Sequence, residues 1–343
     1  MIIRRTLIIA EAGVNHNGDI GIAKSLISVA ADAGADIVKF QTFKADKLAS
    51  KVAKKATYQD SSIKDGDDSQ HAMLRKLEMP DEWHFELVRY ASSVGIQFLS
   101  TGFDEESIDF LDQFKMPFYK IPSGEITNKP YLEHIARKGK PIIMSTGMAD
   151  MQEIESAIQV IESQGLLRKK ITILHCNSEY PTPMSDVNLL AMSAIGKALD
   201  VEIGYSDHTL GIEVSIAATA LGAKVIEKHF TLSRSLPGPD HSASLEPSEL
   251  KAMVVAIRNI ESAISGSGNK NPTLSELKNK LIGRKSIHFA TDLPKGTIIC
   301  AKDLKMMRPG LGISPMQVDH FFEKKLRVSV VKDQMLTQAD FFD

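Results

Sequence analysis

Seven side chains able to move protons, hold anions or ligate metal ions recur in one setting. Glu11, Lys39, Lys120, Glu125, Tyr180, His208 and His229 each close, or closely follow, a short apolar run. The runs read LIIAEAGVNH, DIVKFQTF, IQFLSTGF, FYKIPSGE, PIIMSTGM, ITILHCNSEYP, EIGYSDHT and KVIEKHF. His208 and His229 lie just past the seventh and eighth. Two imidazoles ending neighbouring strands can share one divalent cation and leave coordination positions open to water and substrate. The competing reading makes them unrelated, one capping a loop and one packing in the rim. Lys39 and Lys120 end apolar runs, where lysine is rarely left unless paired or working. Together they would hold a phosphate and a carboxylate; Schiff-base chemistry and pairing with local carboxylates are the alternatives. Ser123, Ser145, Thr146 and Ser206 add hydroxyls of the kind a polyoxygenated anion needs. Glu11, Glu125 and Asp240 are candidate acid–base or sugar-hydroxyl partners. A carboxylate ending a buried run, as Glu11 does, is costly unless a cation or donor meets it. Asp240, in Pro-Gly-Pro-Asp-His, also reads as an Asx turn.

Eight apolar runs separated by amphipathic stretches are the sequence form of a (β/α)8 TIM barrel, whose chemistry sits where the strands end. The pattern predicts strands over 7–12, 36–42, 97–100, 118–121, 142–145, 171–174, 202–205 and 224–228. Helices are expected over 20–33, 80–94, 105–114, 129–137, 151–163, 188–198, 212–221 and 247–264, with Gly34 suited to the first stop. Residues 44–69, rich in lysine and aspartate and without a clear period, read as a long loop over the barrel mouth. The barrel domain is expected to occupy 1–264. Ser-Gly-Ser-Gly-Asn-Lys-Asn-Pro opens a linker over 265–285, in which 274–285 reads as a polar, helical connector. Residues 286–343 form a small, mostly β module that buries little surface of its own and must lean on something larger.

Composition narrows the function classes. Of 343 residues, 43% are hydrophobic and 24% charged, which is the balance of an ordinary soluble globular protein. A formal net charge of −2 offers no basic field for nucleic acid and no polybasic membrane patch. The two cysteines, Cys176 and Cys300, have no metal-ligand spacing and fit a reducing, cytoplasmic setting. The start, MIIRRTLIIAEAG, breaks at Glu11, too early for the apolar core of a signal peptide. No run approaches the roughly 20 apolar residues that span a bilayer. A Walker loop, a nucleophile elbow and a paired-glycine dinucleotide fingerprint are all absent.

IAEAGVNHNGD, VKFQTFKAD, KIPSGEITNKPYL, STGMA, HCNSEYPTP, GYSDHT, VIEKHFTL and GPDHSASLEP together resemble the sialic acid synthase family. The tail, LPKGTIICAKDLKMMRPGLGIS, is similar to the antifreeze-like (SAF) domain that ends those chains. The resemblance runs nearly end to end. It implies an enzyme that condenses phosphoenolpyruvate with an N-acylated hexose. It further implies that His208 and His229 bind a divalent cation, manganese or magnesium. Lys39, Thr101, Lys120, Ser123, Ser145 and Ser206 would hold phosphoenolpyruvate, and Glu11 would stand by the metal as general base. Gln41, Glu125, Tyr180 and Asp240 would face the sugar. Arg308 would reach it from the partner subunit of a domain-swapped homodimer.

Departures from the sialic acid pattern narrow the resemblance. Ser100-Thr101-Gly102-Phe103 replaces Ser-Thr-Pro-Phe, and Asn177-Ser178-Glu179-Tyr180 replaces Thr-Asn-Ile-Tyr. Ile121-Pro122-Ser123-Gly124-Glu125-Ile126-Thr127-Asn128, Ser178-Glu179-Tyr180 and Pro239-Asp240-His241 look more like the N,N'-diacetyllegionaminic acid synthase branch, which uses 2,4-diacetamido-2,4,6-trideoxymannose. N-Acetylneuraminate synthesis from N-acetylmannosamine is the alternative. A metal-dependent barrel hydrolase, a Schiff-base aldolase and a non-catalytic sugar-binding module are the competing readings from other classes.

Overall fold

A computed structural model describes residues 5–63 and 66–342. Residues 1–4 of the basic-then-apolar start, Lys64 and Asp65 of the 44–69 segment, and Asp343 lie outside the described residues. The chain divides into two compact units, Met1–Ser265 and Gly266–Asp343.

The first unit is a parallel eight-stranded sheet of β1 (Leu7–Gly13), β2 (Ile37–Thr42), β3 (Gln97–Gly102), β4 (Tyr119–Ile121), β5 (Ile142–Ser145), β6 (Ile171–Cys176), β7 (Glu202–Asp207) and β8 (Val225–His229). Their order, β3-β2-β1-β8-β7-β6-β5-β4, is that of a (β/α)8 barrel. No ladder joins β3 to β4 among the described residues, but the Tyr131 hydroxyl crosses that seam and donates to Gly102 O at 2.6 Å. Strand side chains alternate between faces. On β1, Ile8, Ala10 and Ala12 join the apolar layer under the helices. Ile9 belongs to the other cluster, and Glu11 follows it two residues on.

Helices fall between the strands with ordinary start and stop chemistry. Asp19 caps Ile20–Ala33 by accepting from Gly21 N and Ile22 N, and Gly34 ends it in the left-handed region. Asp150 and Glu153 form a reciprocal cap on Met151–Ser163.

The 44–69 segment departs from its expected loop. It holds Ala45–Leu48 and Thr57–Ile63, and Ser69 caps Gln70–Leu77 through Ala72 N at 3.1 Å. Val14, Phe43, Met73 and Leu77 form a small apolar cluster beneath these pieces. Each helix is too short for a period to stand out, so order comes from caps and this shared cluster.

The second unit opens with Leu274–Gly283, a helix carrying a Thr273–Glu276 capping box. A two-stranded antiparallel ladder of β9 (Ser286–Phe289) and β10 (Leu304–Met307) follows, with isolated bridges such as Leu293↔Val330 and Ile298↔Lys325. Its own core includes Ile287, Phe289, Ile299, Phe321, Leu326 and Leu336.

Candidate active site

The strand ends deliver ionisable side chains to the barrel mouth by period two. Lys39 and Gln41 follow Ile37 on β2, and Glu227 and His229 follow Val225 on β8. A cavity of about 480 Å³ opens there. It is lined by Glu11, Lys39, Gln41, Thr101, Lys120, Ser123, Glu125, Ser145, Tyr180, Ser206, His208, Glu227, His229 and Asp240. Apart from Thr146, the barrel residues singled out for catalysis, anion binding or sugar binding therefore share one cavity. Arg308 belongs to the second unit, where its Nε donates to Gly283 O at 3.0 Å. Thr146 is buried but turns away from the cavity, and its hydroxyl donates to Leu174 O at 3.0 Å.

Four charged groups form a buried chain at the cavity floor. Lys39 Nζ lies 2.6 Å from Glu11 Oε2 and 3.5 Å from Glu227 Oε2, and donates to Thr101 Oγ1 at 3.0 Å. Lys120 Nζ lies 3.7 Å from Glu227 Oε1 and donates to Ser145 Oγ at 2.6 Å and Ile121 O at 3.1 Å. Ser206 Oγ donates to Glu227 Oε1 at 2.9 Å. Glu227 was not among the sequence candidates; it sits two residues before His229, on the same face of β8, and that period is the signal that would have found it. The lysines are thus both paired with carboxylates and placed on the cavity wall, so pairing does not compete with a position open to a ligand.

The electrostatics follow from burial set against this chain. Burial raises the Glu11 carboxyl to about 7, with Lys39 opposing and Glu227 reinforcing the rise. Burial pushes Glu227 up as well, but Lys120, Lys39 and the Ser206 hydroxyl outweigh it and hold that group at about 2. Burial pulls the Lys120 ammonium down, against Glu227. Lys39 is held up by Glu11 and Glu227 in spite of its burial. Asp240 rises to about 6 through burial alone.

Burial lowers His208 to about 4 and His229 well below its ordinary value, so both imidazoles are neutral near pH 7. Their ring centroids are 5.5 Å apart. His208 Nδ1–H donates to Asn177 O at 2.5 Å, which leaves the Nε2 lone pair free. His229 Nδ1 is buried without a hydrogen-bond partner, 3.9 Å from Asp240 Oδ2. Tyr180 stacks on His208 at 4.0 Å and meets His229 edge-on at 5.6 Å. Neutral imidazoles with available lone pairs, one of them orphaned, suit a divalent cation. Among the described residues no group of three or more His, Cys, Asp or Glu is arranged to hold one. The imidazole pair is therefore the candidate ligand set, with further positions falling to water and substrate.

The rim carries the remaining polar candidates. Gln41 Nε2 donates to Glu11 Oε1 at 3.3 Å, and Glu125 Oε2 accepts from Asn128 Nδ2 at 2.6 Å. Ser123 Oγ accepts from Gly147 N at 2.9 Å. A Cβ on Gly147 would meet the hydroxyls of Ser178 and Ser123, so any side chain there would turn those hydroxyls away.

Comparison with known proteins agrees with this assembly. Residues 26–270 match the NeuB family, and 284–341 match the SAF domain. The chain belongs to the NeuB family. Over 335 residues it is 50% identical to an N,N'-diacetyllegionaminic acid synthase of Campylobacter jejuni, covering 98% of this chain and 100% of the other. A protein of the same name from Legionella pneumophila is 48% identical over 325 residues, covering 94% and 91%. Among solved structures, an N-acetylneuraminic acid synthetase of Leptospira borgpetersenii in complex with citrate superposes with a TM-score of 0.69 at 32% identity, covering 81% of this chain and 90% of that one.

Proposed function

We propose that this NeuB-family enzyme condenses phosphoenolpyruvate with 2,4-diacetamido-2,4,6-trideoxymannose, giving N,N'-diacetyllegionaminic acid and phosphate. The observation that carries the reading is the cavity floor, where two buried lysines and several hydroxyls lie beside a pair of neutral imidazoles. Two relatives near half identity, both diacetyllegionaminic acid synthases, favour this sugar; the sialic acid synthetase structure stands at 32%.

Lys39 and Lys120, with Thr101, Ser123, Ser145 and Ser206, bind the phosphate and carboxylate of phosphoenolpyruvate and hold its methylene carbon towards the sugar aldehyde. His208 and His229 hold a divalent cation, manganese or magnesium, which when bound would polarise the aldehyde oxygen. The methylene carbon attacks the aldehyde, positive charge develops at C2, and Glu11 faces it. Water adds at C2, Glu11 takes its proton, and the tetrahedral intermediate expels phosphate. Gln41, Glu125, Tyr180 and Asp240 orient the sugar, and Tyr180 closes one side of the imidazole pair.

The domains of this enzyme are assigned as 1–264 for the barrel, 265–285 for the connector and 286–343 for the SAF domain. Arg308 binds the sugar N-acyl group from the partner subunit of a domain-swapped homodimer. The two free thiols, Cys176 and Cys300, suit work in the cytoplasm, and no helix among the described residues is long and apolar enough to cross a membrane. Purified protein given manganese, phosphoenolpyruvate and the diacetamido sugar is expected to release phosphate and yield a product of the condensed mass. Release with N-acetylmannosamine alone would replace the sugar assignment, and release with no N-acylated hexose would remove the reading.

A further inference from the structure

Immediately before each candidate metal-binding histidine stands a charged residue facing the other way. Asp207 precedes His208 and Lys228 precedes His229, and the two are register partners across β7 and β8. Their side chains form an ion pair of 3.0 Å, fully buried on both sides. It does not line the cavity; it lies on the opposite strand face from Ser206, Glu227 and the imidazoles.

Every oxygen of this pair is engaged. Asp207 Oδ1 accepts from Thr209 N at 2.9 Å and Thr209 Oγ1 at 2.7 Å, while Oδ2 accepts from Ser215 Oγ at 2.6 Å. Lys228 Nζ donates to Thr209 O at 2.6 Å and contacts Thr209 Oγ1 at 3.4 Å. Ser215 belongs to the helix Glu213–Ala220. The network ties the end of β7, the end of β8, the Thr209 turn and that helix together around the backbone of His208. From the other side, His208 O accepts from Thr182 N at 2.9 Å.

A buried ion pair is a poor source of net stability, because desolvating two charges offsets most of their attraction. Apolar side chains of similar size would fill this space but leave the buried Thr209 and Ser215 groups without these partners. Nor would they fix two strand ends and a turn in one arrangement by directional bonds.

We propose that Asp207 and Lys228, with Ser215, are positioning residues that set the spacing and aim of His208 and His229 for a divalent cation. The inference rests on the reading of those histidines as the metal ligands. Groups that hydrogen-bond a metal ligand directly typically change metal affinity by about 10- to 100-fold, and a network that holds the ligands' backbone is expected at the lower end of that range.

The test uses the full-length protein, with manganese(II) binding counted from the electron paramagnetic resonance of the free aqua ion. Phosphoenolpyruvate affinity without metal and the thermal midpoint are measured alongside. The double variant Asp207→Leu/Lys228→Met removes both charges together. It is expected to leave phosphoenolpyruvate affinity within about twofold while manganese binds on the order of tenfold more weakly, and the unpaired Thr209 and Ser215 groups lower the thermal midpoint. Should that protein fail to fold, Ser215→Ala carries the test, with an expected loss of about threefold, the effect of one hydrogen bond. Wild-type manganese affinity in the folded variant would overturn the proposal while leaving the metal reading intact. A wild-type protein that binds no manganese would overturn both.

Discussion

At the N-terminal end of the barrel, Arg258 donates to Thr6 O at 2.8 Å and pairs with Asp36 at 2.7 Å and Glu261 at 3.0 Å. Asp36 Oδ2 also accepts from Ile8 N at 2.8 Å. At the C-terminal end, Glu11, Lys39, Glu227 and Lys120 form a chain of comparable size. The lower cluster joins the helix Pro247–Ala263 to the starts of β1 and β2, and its carboxylates bind backbone N–H groups as well as Arg258. The upper cluster makes few backbone bonds, is more deeply buried, and lines an open cavity. It also leaves His229 Nδ1 unpartnered beside it. Charges at the lower end are spent on joining elements, whereas those at the upper end are kept available to a ligand. This is the division of labour expected of the fold, with stability at one face and chemistry at the other.

The comparison is most sharply tested at Lys120. Lys120→Met removes a cation from the upper chain while leaving Glu227 paired with Lys39. Loss of one charged anion contact is expected to lower kcat/KM for phosphoenolpyruvate by about 10²- to 10³-fold, together with a lower thermal midpoint because two buried carboxylates are left to Lys39 alone. Steady-state phosphate release and a melting curve on the same preparation decide it. A variant that melts early and keeps its kcat/KM would make the upper cluster structural and erase the contrast between the ends.

The Glu11 carboxyl gives the next effect, through pH. Its pKa near 7 in the metal-free protein means that the folded chain holds a proton between about 4.5 and 7 that the unfolded chain has released. The stability this group contributes is therefore complete below about 4.5 and is lost as pH rises through 7. His208 and His229 act in the opposite sense, since their lowered values favour folding as pH rises. The Glu11 part is isolated by difference. In chelator, denaturant stability of wild type relative to Glu11→Gln is expected to fall between pH 5 and 7.5. A constant difference across that range would place the carboxylate in a setting as satisfied as Asp36. For activity the sign reverses, because only the ionised carboxylate accepts a proton, and kcat/KM falls on the acid side.

Much of the upper cluster was legible because its members end apolar runs, a placement that costs free energy unless something meets the charge. Lys39, Lys120, Glu11 and both histidines were readable on those grounds. Glu227 was not, because Glu227-Lys228 looks like one polar pair until the pleat sends Glu227 inward and Lys228 outward. Thr146 misled for the same reason, since it follows Ser145 directly and so points to the other face. The helices within 44–69 left no period to read. They depend on Val14 and Phe43, which lie outside that segment and meet it only in the folded chain. The lower cluster was missed altogether because its charges come from residues 36, 258 and 261, each an ordinary surface charge in isolation, and they meet the backbone of Thr6.

That last group supplies the smallest expected effect and the complementary half of the contrast. Arg258→Ala leaves Glu261 without its cation and Asp36 with Arg5 alone, and removes the donor to Thr6 O. These groups are only partly exposed, so the loss is more than that of a surface pair and less than that of a fully buried one. It is expected to be about 1–3 kcal/mol. In a chain of this size that lowers the thermal midpoint by roughly 2–4 °C per kcal/mol. The proposed substrate cavity lies at the other end of the barrel, so kcat/KM per folded molecule should match wild type at temperatures well below the midpoint. A fall in kcat/KM without a fall in midpoint would mean that the strand starts transmit strain to the strand ends, and the two faces would then be coupled rather than divided.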